Sequence, residues 1–176
     1  FEFPNLPCRY PVVWVRAGEA AAICEAEGKR LCDAHEWEGA CAGAVLAPDY
    51  PWDAVKGLAA GDAQSKMRRS HNDKWDDTKA WSYGPAWENG RCAAASTKSP
   101  LCDGSNWRQC GSNTYPTGAF PECKSPLGVY DINGNAAEHM NLPLAPDQLA
   151  SAGTKLGVTE MKGSWFIFDT YHAHED

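Results

Sequence analysis

The chain has 176 residues, with 16 Lys plus Arg against 23 Asp plus Glu for a formal charge of −7. That length suits one domain with its own core, and a 43% apolar share with 22% charged residues excludes a disordered chain or a coiled coil. The acidic balance argues against phosphate-backbone binding, and no apolar stretch is long enough to span a bilayer. Phe1-Glu2-Phe3-Pro4 lacks the basic start and apolar middle of a signal peptide, and a chain opening on Phe is expected of a mature or trimmed product.

In chain order, GEAAAICEAE at 18–27 is dense in helix formers and ends at Gly28, a residue suited to the position just past a helix, so a first helix is predicted there. Asp33, with Glu36 three residues on, forms a capping signature for a second helix running to about Ala42 and stopped by Gly43. Trp37, Ala40 and Cys41 share its inward face, which makes Trp37 a core anchor. His35 and His71 are expected on the surface. From about 48 to 122 no helix or strand period survives, and disulfides, ions or buried aromatics must pin that stretch. Residues 128–130 and 165–168 read as short strands beside glycine, and 142–153 as a polar loop.

Eight cysteines stand at 8, 24, 32, 41, 92, 102, 110 and 123, with no C-x-x-C pair among them. Zinc ribbons and redox dithiols need that close spacing, so the even, scattered set predicts disulfides and an oxidising compartment, secreted or periplasmic. Eight cysteines allow on the order of a hundred pairings, and spacing does not choose among them. Four tryptophans of the irregular region, Trp75, Trp81, Trp87 and Trp107, are either staples to the core or a ligand-binding surface.

The segment Asp131-Ile132-Asn133-Gly134-Asn135-Ala136-Ala137-Glu138 carries oxygen-bearing side chains at alternate positions and a carboxylate at its end. Hard cations take such oxygens, but an EF-hand needs its glycine sixth and its glutamate twelfth, so that assignment fails on spacing. Two readings stand: a Ca²⁺ site of another geometry, or a turn that satisfies its own backbone. No G-x-S-x-G, Walker loop, H-E-x-x-H or G-x-G-x-x-G is present, which leaves hydrolase, nucleotide and zincin chemistry without support.

GKRLCDAHEWEGACAG at 28–43 is similar to the G-K-R-L-P-T-E-A-E-W-E stretch of the formylglycine-generating enzyme (sulfatase-modifying factor) family. Tyr50-Pro51-Trp52 then stands for Y-P-W-G, GAFPECKSPLGVYDINGNAAEH at 118–139 for G-x-F-P-x-N-x-x-G-L-Y-D-M-x-G-N-x-W-E-W, and Lys162-Gly163-Ser164-Trp165 for R-G-G-S-W. The four motifs keep family order over about residues 10–165. The resemblance implies an α+β, loop-rich variant of the C-type lectin-like fold, with two helices and short antiparallel strands, disulfide-stapled. It implies a single domain over 1–176, with a closing segment expected beyond it.

The same resemblance implies a structural Ca²⁺ held by Asp131, Glu138 and the carbonyls of Gly134 and Ala136. Asn89 and Asp103 are conceivable ligands of a second ion, while Ala137 and His139 depart from W-E-W. Family members that make formylglycine bind copper through two cysteines after the G-G-S element, and those positions fall here on Ile167 and His172. Copper and formylglycine-generating activity are therefore not expected, since neither residue offers the thiolate that Cu(I) selects. The expected role is a calcium-stabilised binding or structural module with an unknown protein or glycan ligand, or self-assembly, and no nucleic acid or membrane span. The alternative is a metal-dependent oxidase or oxygenase using His172, His174 and Glu175, because imidazoles two apart on a strand face one side.

Overall fold

Residues 9–72, 81–94 and 114–163 are described by a computed structural model. The first helix, α1 (Ala17–Ala26), begins where the Glu19 carboxylate accepts the Arg16 backbone N–H at 2.7 Å. It ends as expected at Gly28, whose φ is +70°. None of its residues is buried. The second, α2 (Ala34–Ala42), opens on the expected signature: Glu36 reaches back to accept the Asp33 N–H at 2.8 Å. The Arg30 guanidinium grips both oxygens of that Glu36 at 2.6 and 2.7 Å, fixing the link between the helices. Gly43 stops α2 at φ +80°, where the ring of Pro126 fills the space a side chain would need.

Two helices fall where no regular structure was expected, α3 (Trp52–Val55) and α4 (Ala60–Asn72). The inward stripe of α4 is Ala63, Met67 and His71, at successive spacings of four. Because its third member is polar, the stripe does not register as an apolar period. The sheet is a two-stranded antiparallel pair, β1 (Glu138–Asn141) and β2 (Thr159–Lys162), with Glu138 opposite Lys162 and Asn141 opposite Thr159.

Residues 128–130 are not the predicted strand. A single bridge joins Lys124 to Tyr130 around a turn closed by Ser125, and Val129 and Tyr130 are exposed, so no neighbouring strand covers them. The predicted strand at 165–168 lies outside the described residues. The segment expected as a polar loop, 142–153, buries Leu142 and Ala150 and contains two 3₁₀ turns, Pro146–Gln148 and Ala150–Ala152. It is tied down by Asp33, whose carboxylate accepts the N–H groups of Ala150 (2.8 Å) and Ser151 (2.9 Å) and the Asn141 amide (2.5 Å).

Trp37, Tyr50, Val55, Met67, Ile132, Met140 and Leu142 form one core between α2, α3, α4 and the sheet. Trp37 is 3% exposed, the anchor it was expected to be. Cys92 and Cys123 form a disulfide. Cys24, Cys32 and Cys41, expected in bridges, are free. Cys41 serves as a small apolar residue buried in the core, with Sγ 3.9 Å from Asn133 Oδ1, while the half-buried Cys24 and the exposed Cys32 border a cavity under α1. Cys8, Cys102 and Cys110 lie outside the described residues. The described chain is a small α+β fold, and no described helix is long and apolar enough to cross a membrane.

Candidate cation site

The segment 131–138 winds through two non-glycine residues in the left-handed region, Asp131 at φ 59° and Asn135 at φ 63°, with Gly134 between them at φ 82°. Asn and Asp tolerate that region better than other side chains. Backbone strain of this kind persists only where the surroundings hold it, and here three separate segments do so. Asn133 Oδ1 accepts the Ser82 N–H at 2.8 Å, and the Asn135 N–H donates to the Ala93 carbonyl at 2.8 Å. Asn135 also brackets the Tyr115 backbone, accepting its N–H at 2.9 Å and donating to its carbonyl at 3.2 Å. Gly134 presses on the same Ala93, whose carbonyl oxygen lies 2.8 Å from where a Cβ would stand. The alternating oxygens thus divide: both asparagines are buried and hold loops, which leaves the carboxylates for other work.

Asp131, Ala136 and Glu138 line a single cavity of about 390 Å³. Gly134 borders a much smaller cleft on the other side of the loop, next to Trp81, Trp87 and Cys92. Asp131 accepts the Gly118 N–H through Oδ2 at 2.8 Å, whereas its buried Oδ1 has no hydrogen-bond partner. Glu138 accepts the Trp37 indole N–H through Oε2 at 2.5 Å. Its residue is open to water at the cavity, yet walls rise around it, so it is accessible without being in bulk solvent. That loss of bulk water raises its pKa to about 7; the Trp37 bond offsets part of the rise and the charge of Asp131 adds to it. Asp131 is likewise pushed up by burial, against a downward pull from Gly118. Two carboxylates therefore face one concavity whose one described cation, Arg30, is engaged by Glu36, and paired carboxylates are a donor set a hard cation takes.

Roofing the cavity are residues that sequence reasoning did not connect with it: Val12, Val15, Ile23 and Cys24, with Leu31 and Cys32 beside them. Both thiols are pushed up by loss of bulk water and then by Glu27 and Glu36 respectively, which keeps them protonated and weakly reactive.

The family model for the sulfatase-modifying factor enzyme 1-like domain matches residues 5–174. The chain belongs to this family. No curated protein and no solved structure matches it. The motifs that carry the resemblance to sulfatase-modifying factors all lie inside the matched range. The described parts of the first, third and fourth converge: Trp37 of the first donates to Glu138 of the third, and Lys162 of the fourth pairs with Glu38 of the first.

That second pairing opens on a buried charge cluster. Glu38 Oε1 lies 3.0 Å from Lys162 Nζ and 2.9 Å from His71 Nε2, and Lys162 reaches Glu160 at 3.3 Å. The Tyr50 ring stacks on His71 at 4.7 Å, and its hydroxyl lies 2.9 Å from His35 Nδ1 while accepting the His35 backbone N–H. His35 and His71, expected on the surface, are 4% and 0% exposed. His35 is buried against the Tyr50 hydroxyl, and His71 between the Tyr50 ring and the Glu38 carboxylate, surroundings that residue type alone does not reveal. Burial pushes Glu160 up and Lys162 pulls it back.

Of the four tryptophans read as a ligand surface, Trp81 stacks on Tyr83 at 6.2 Å and Trp87 is exposed. Trp75 and Trp107 lie outside the described residues, as do His172, His174, Glu175 and Asp103. Asn89 sits exposed at a turn beside Glu88 and Phe120, away from the cavity. Among the described residues no group of three or more His, Cys, Asp or Glu could hold a metal ion, so a cation at Asp131 and Glu138 needs carbonyl oxygens as well.

Proposed function

We propose that this sulfatase-modifying-factor-like domain is an extracytoplasmic binding or structural module, stabilised by Ca²⁺ and without formylglycine-generating activity. One observation carries it: Asp131 Oδ1 is buried and unpartnered beside Glu138, in a chain with Ile167 and His172 where the family resemblance calls for thiolates. The two carboxylates and the Ala136 carbonyl would hold the ion, while Gly134, whose carbonyl the resemblance adds, borders the other cleft. Bound Ca²⁺ would supply positive charge at the two carboxylates, which Arg30, held by Glu36, does not reach, ordering the loop from 131 to 138. The short strands and the loops held by buried asparagines support a C-type lectin-like variant. The Cys92–Cys123 bridge supports a secreted or periplasmic setting.

We take the cavity under α1 as the primary ligand site, and Trp75, Trp81, Trp87 and Trp107 as the surface to substitute next. The test of the ion is thermal. At about a hundred times its Kd, Ca²⁺ should stabilise the fold by roughly 2.7 kcal/mol, a rise in midpoint of about 5–10 °C that EDTA reverses. A midpoint indifferent to both, with no calcium found by metal analysis, overturns this reading.

A further inference from the structure

The cavity holds more than a place for an ion. Its walls are largely apolar, built by Val12, Val15, Ile23, Leu31, Trp37 and Met140, and α1 spans it without burying a residue of its own. A helix that lines the space beneath it with Ala20, Ile23 and Cys24 without filling it leaves room for a guest. About 390 Å³ lies within the range of small-molecule sites.

The buried side-chain polar atoms left unpartnered on that wall belong to Asp131 and His139. Asp131 Oδ1 is a buried acceptor without a partner, and Glu138 has one of its two oxygens engaged by Trp37. His139 Nε2 lies 3.1 Å from the Val15 carbonyl, which can only accept, so Nε2 is the nitrogen that donates there and Nδ1 is left facing other surroundings. That Nδ1 is buried and unpartnered too. Arg30 is the one lysine or arginine among the described residues of the wall, and Glu36 occupies it with two bonds. An apolar chamber offering acceptors and negative charge, and no uncommitted cation, matches one chemical class: an ammonium group carries donors and no acceptor, and an apolar body would fill the remainder.

We infer that the cavity beneath α1 binds a small organic ammonium ion with an apolar body, its charged end at Asp131 and Glu138 and its apolar end against Val15, Ile23 and Leu31. The inference rests on the cavity's being the ligand site of the module; it does not require calcium. Because both cations use the same carboxylates, they exclude each other.

The test is calorimetric titration of the whole chain in calcium-free buffer with hexylammonium and with hexan-1-ol, which shares its chain but not its charge. Hexylammonium should bind one to one, and hexan-1-ol at least about tenfold more weakly, the worth of one charge-assisted hydrogen bond. Glu138→Gln and Asp131→Asn, taken separately so that one fold failure does not decide the matter, should each weaken hexylammonium to a similar degree. Ala20→Phe, which fills the chamber from its roof and leaves the carboxylates in place, should abolish hexylammonium binding while preserving the thermal response to Ca²⁺. Equal binding of amine and alcohol, or full binding in Ala20→Phe, overturns the inference. A calcium response without hexylammonium binding overturns it and leaves the calcium reading intact. Hexylammonium binding without any calcium response supports it and removes calcium alone.

Discussion

Asp33 illustrates how much of a side chain's work lies beyond its neighbours. Its position before a helix, with Glu36 three residues on, is legible in sequence, and that capping geometry is present. Its three other donors come from Asn141, Ala150 and Ser151, separated from it by 108, 117 and 118 residues, and no local pattern announces contacts so distant. Burial alone would push this carboxylate up, but the bonds from Ser151, Asn141 and Ala150 outweigh it and hold the pKa below the usual value. A carboxylate depressed in the folded state adds stability above its unfolded pKa, near 3.9, and loses it as pH falls through the lower folded value. Asp33→Asn turns an acceptor into a donor facing backbone N–H groups and should cost about 3 kcal/mol in urea unfolding near neutral pH. The gap between the two proteins should narrow below about pH 4. A gap that stays constant through the acid range would show that the charge of Asp33 contributes nothing.

Among the elements, α2 was readable to within a residue because its caps are chemical and local, whereas β2 was not predicted. The reason is an inverted pattern: Glu160 and Lys162 point inward, 5% and 4% exposed, while Met161 between them is 41% exposed. A search for apolar alternation passes over a strand whose buried face is charged. The same cluster hides α4, where His71 completes the inward stripe. Desolvating Glu38 and Glu160 is tolerable only with Lys162 between them, so removing the lysine should cost more than removing a surface charge. Lys162→Met should lower stability by about 3–5 kcal/mol. Adding Glu38→Gln to it should restore part of that loss, since one unpaired charge is then gone. Denaturant midpoints of the two single variants and the double variant measure the coupling, and strictly additive losses would mean that Lys162 and Glu38 do not act as a unit.

For the molecule as a whole, the expectation of a long irregular stretch held by something other than secondary structure is partly met: α3 and α4 occupy its beginning, and the later described residues follow loops. What holds those loops was only half visible. Buried asparagines at 133 and 135 bind the segments around Ser82, Ala93 and Tyr115, a role that a calcium-like spacing disguises. The predicted staples reduce, among the described residues, to Cys92–Cys123, because Cys24, Cys32 and Cys41 are free thiols. That bridge spans a sequence separation of 31 residues and ties the loop carrying Gly134's neighbour Ala93 to the strand-like turn before Asp131. It therefore constrains both sides of the candidate site. Closing a loop of that size removes unfolded-state entropy worth about 3–4 kcal/mol, so Cys92→Ala/Cys123→Ala should lower the thermal midpoint by about 6–12 °C. It should weaken Ca²⁺ more than a stability loss elsewhere does, because the left-handed turns at Asp131 and Asn135 depend on that frame. Peptide mapping without reduction should recover Cys92 joined to Cys123 and Cys32 open to alkylation. Alkylated Cys92, or Cys92 joined to another cysteine, would remove the bridge and with it the argument that the loop frame is covalently set.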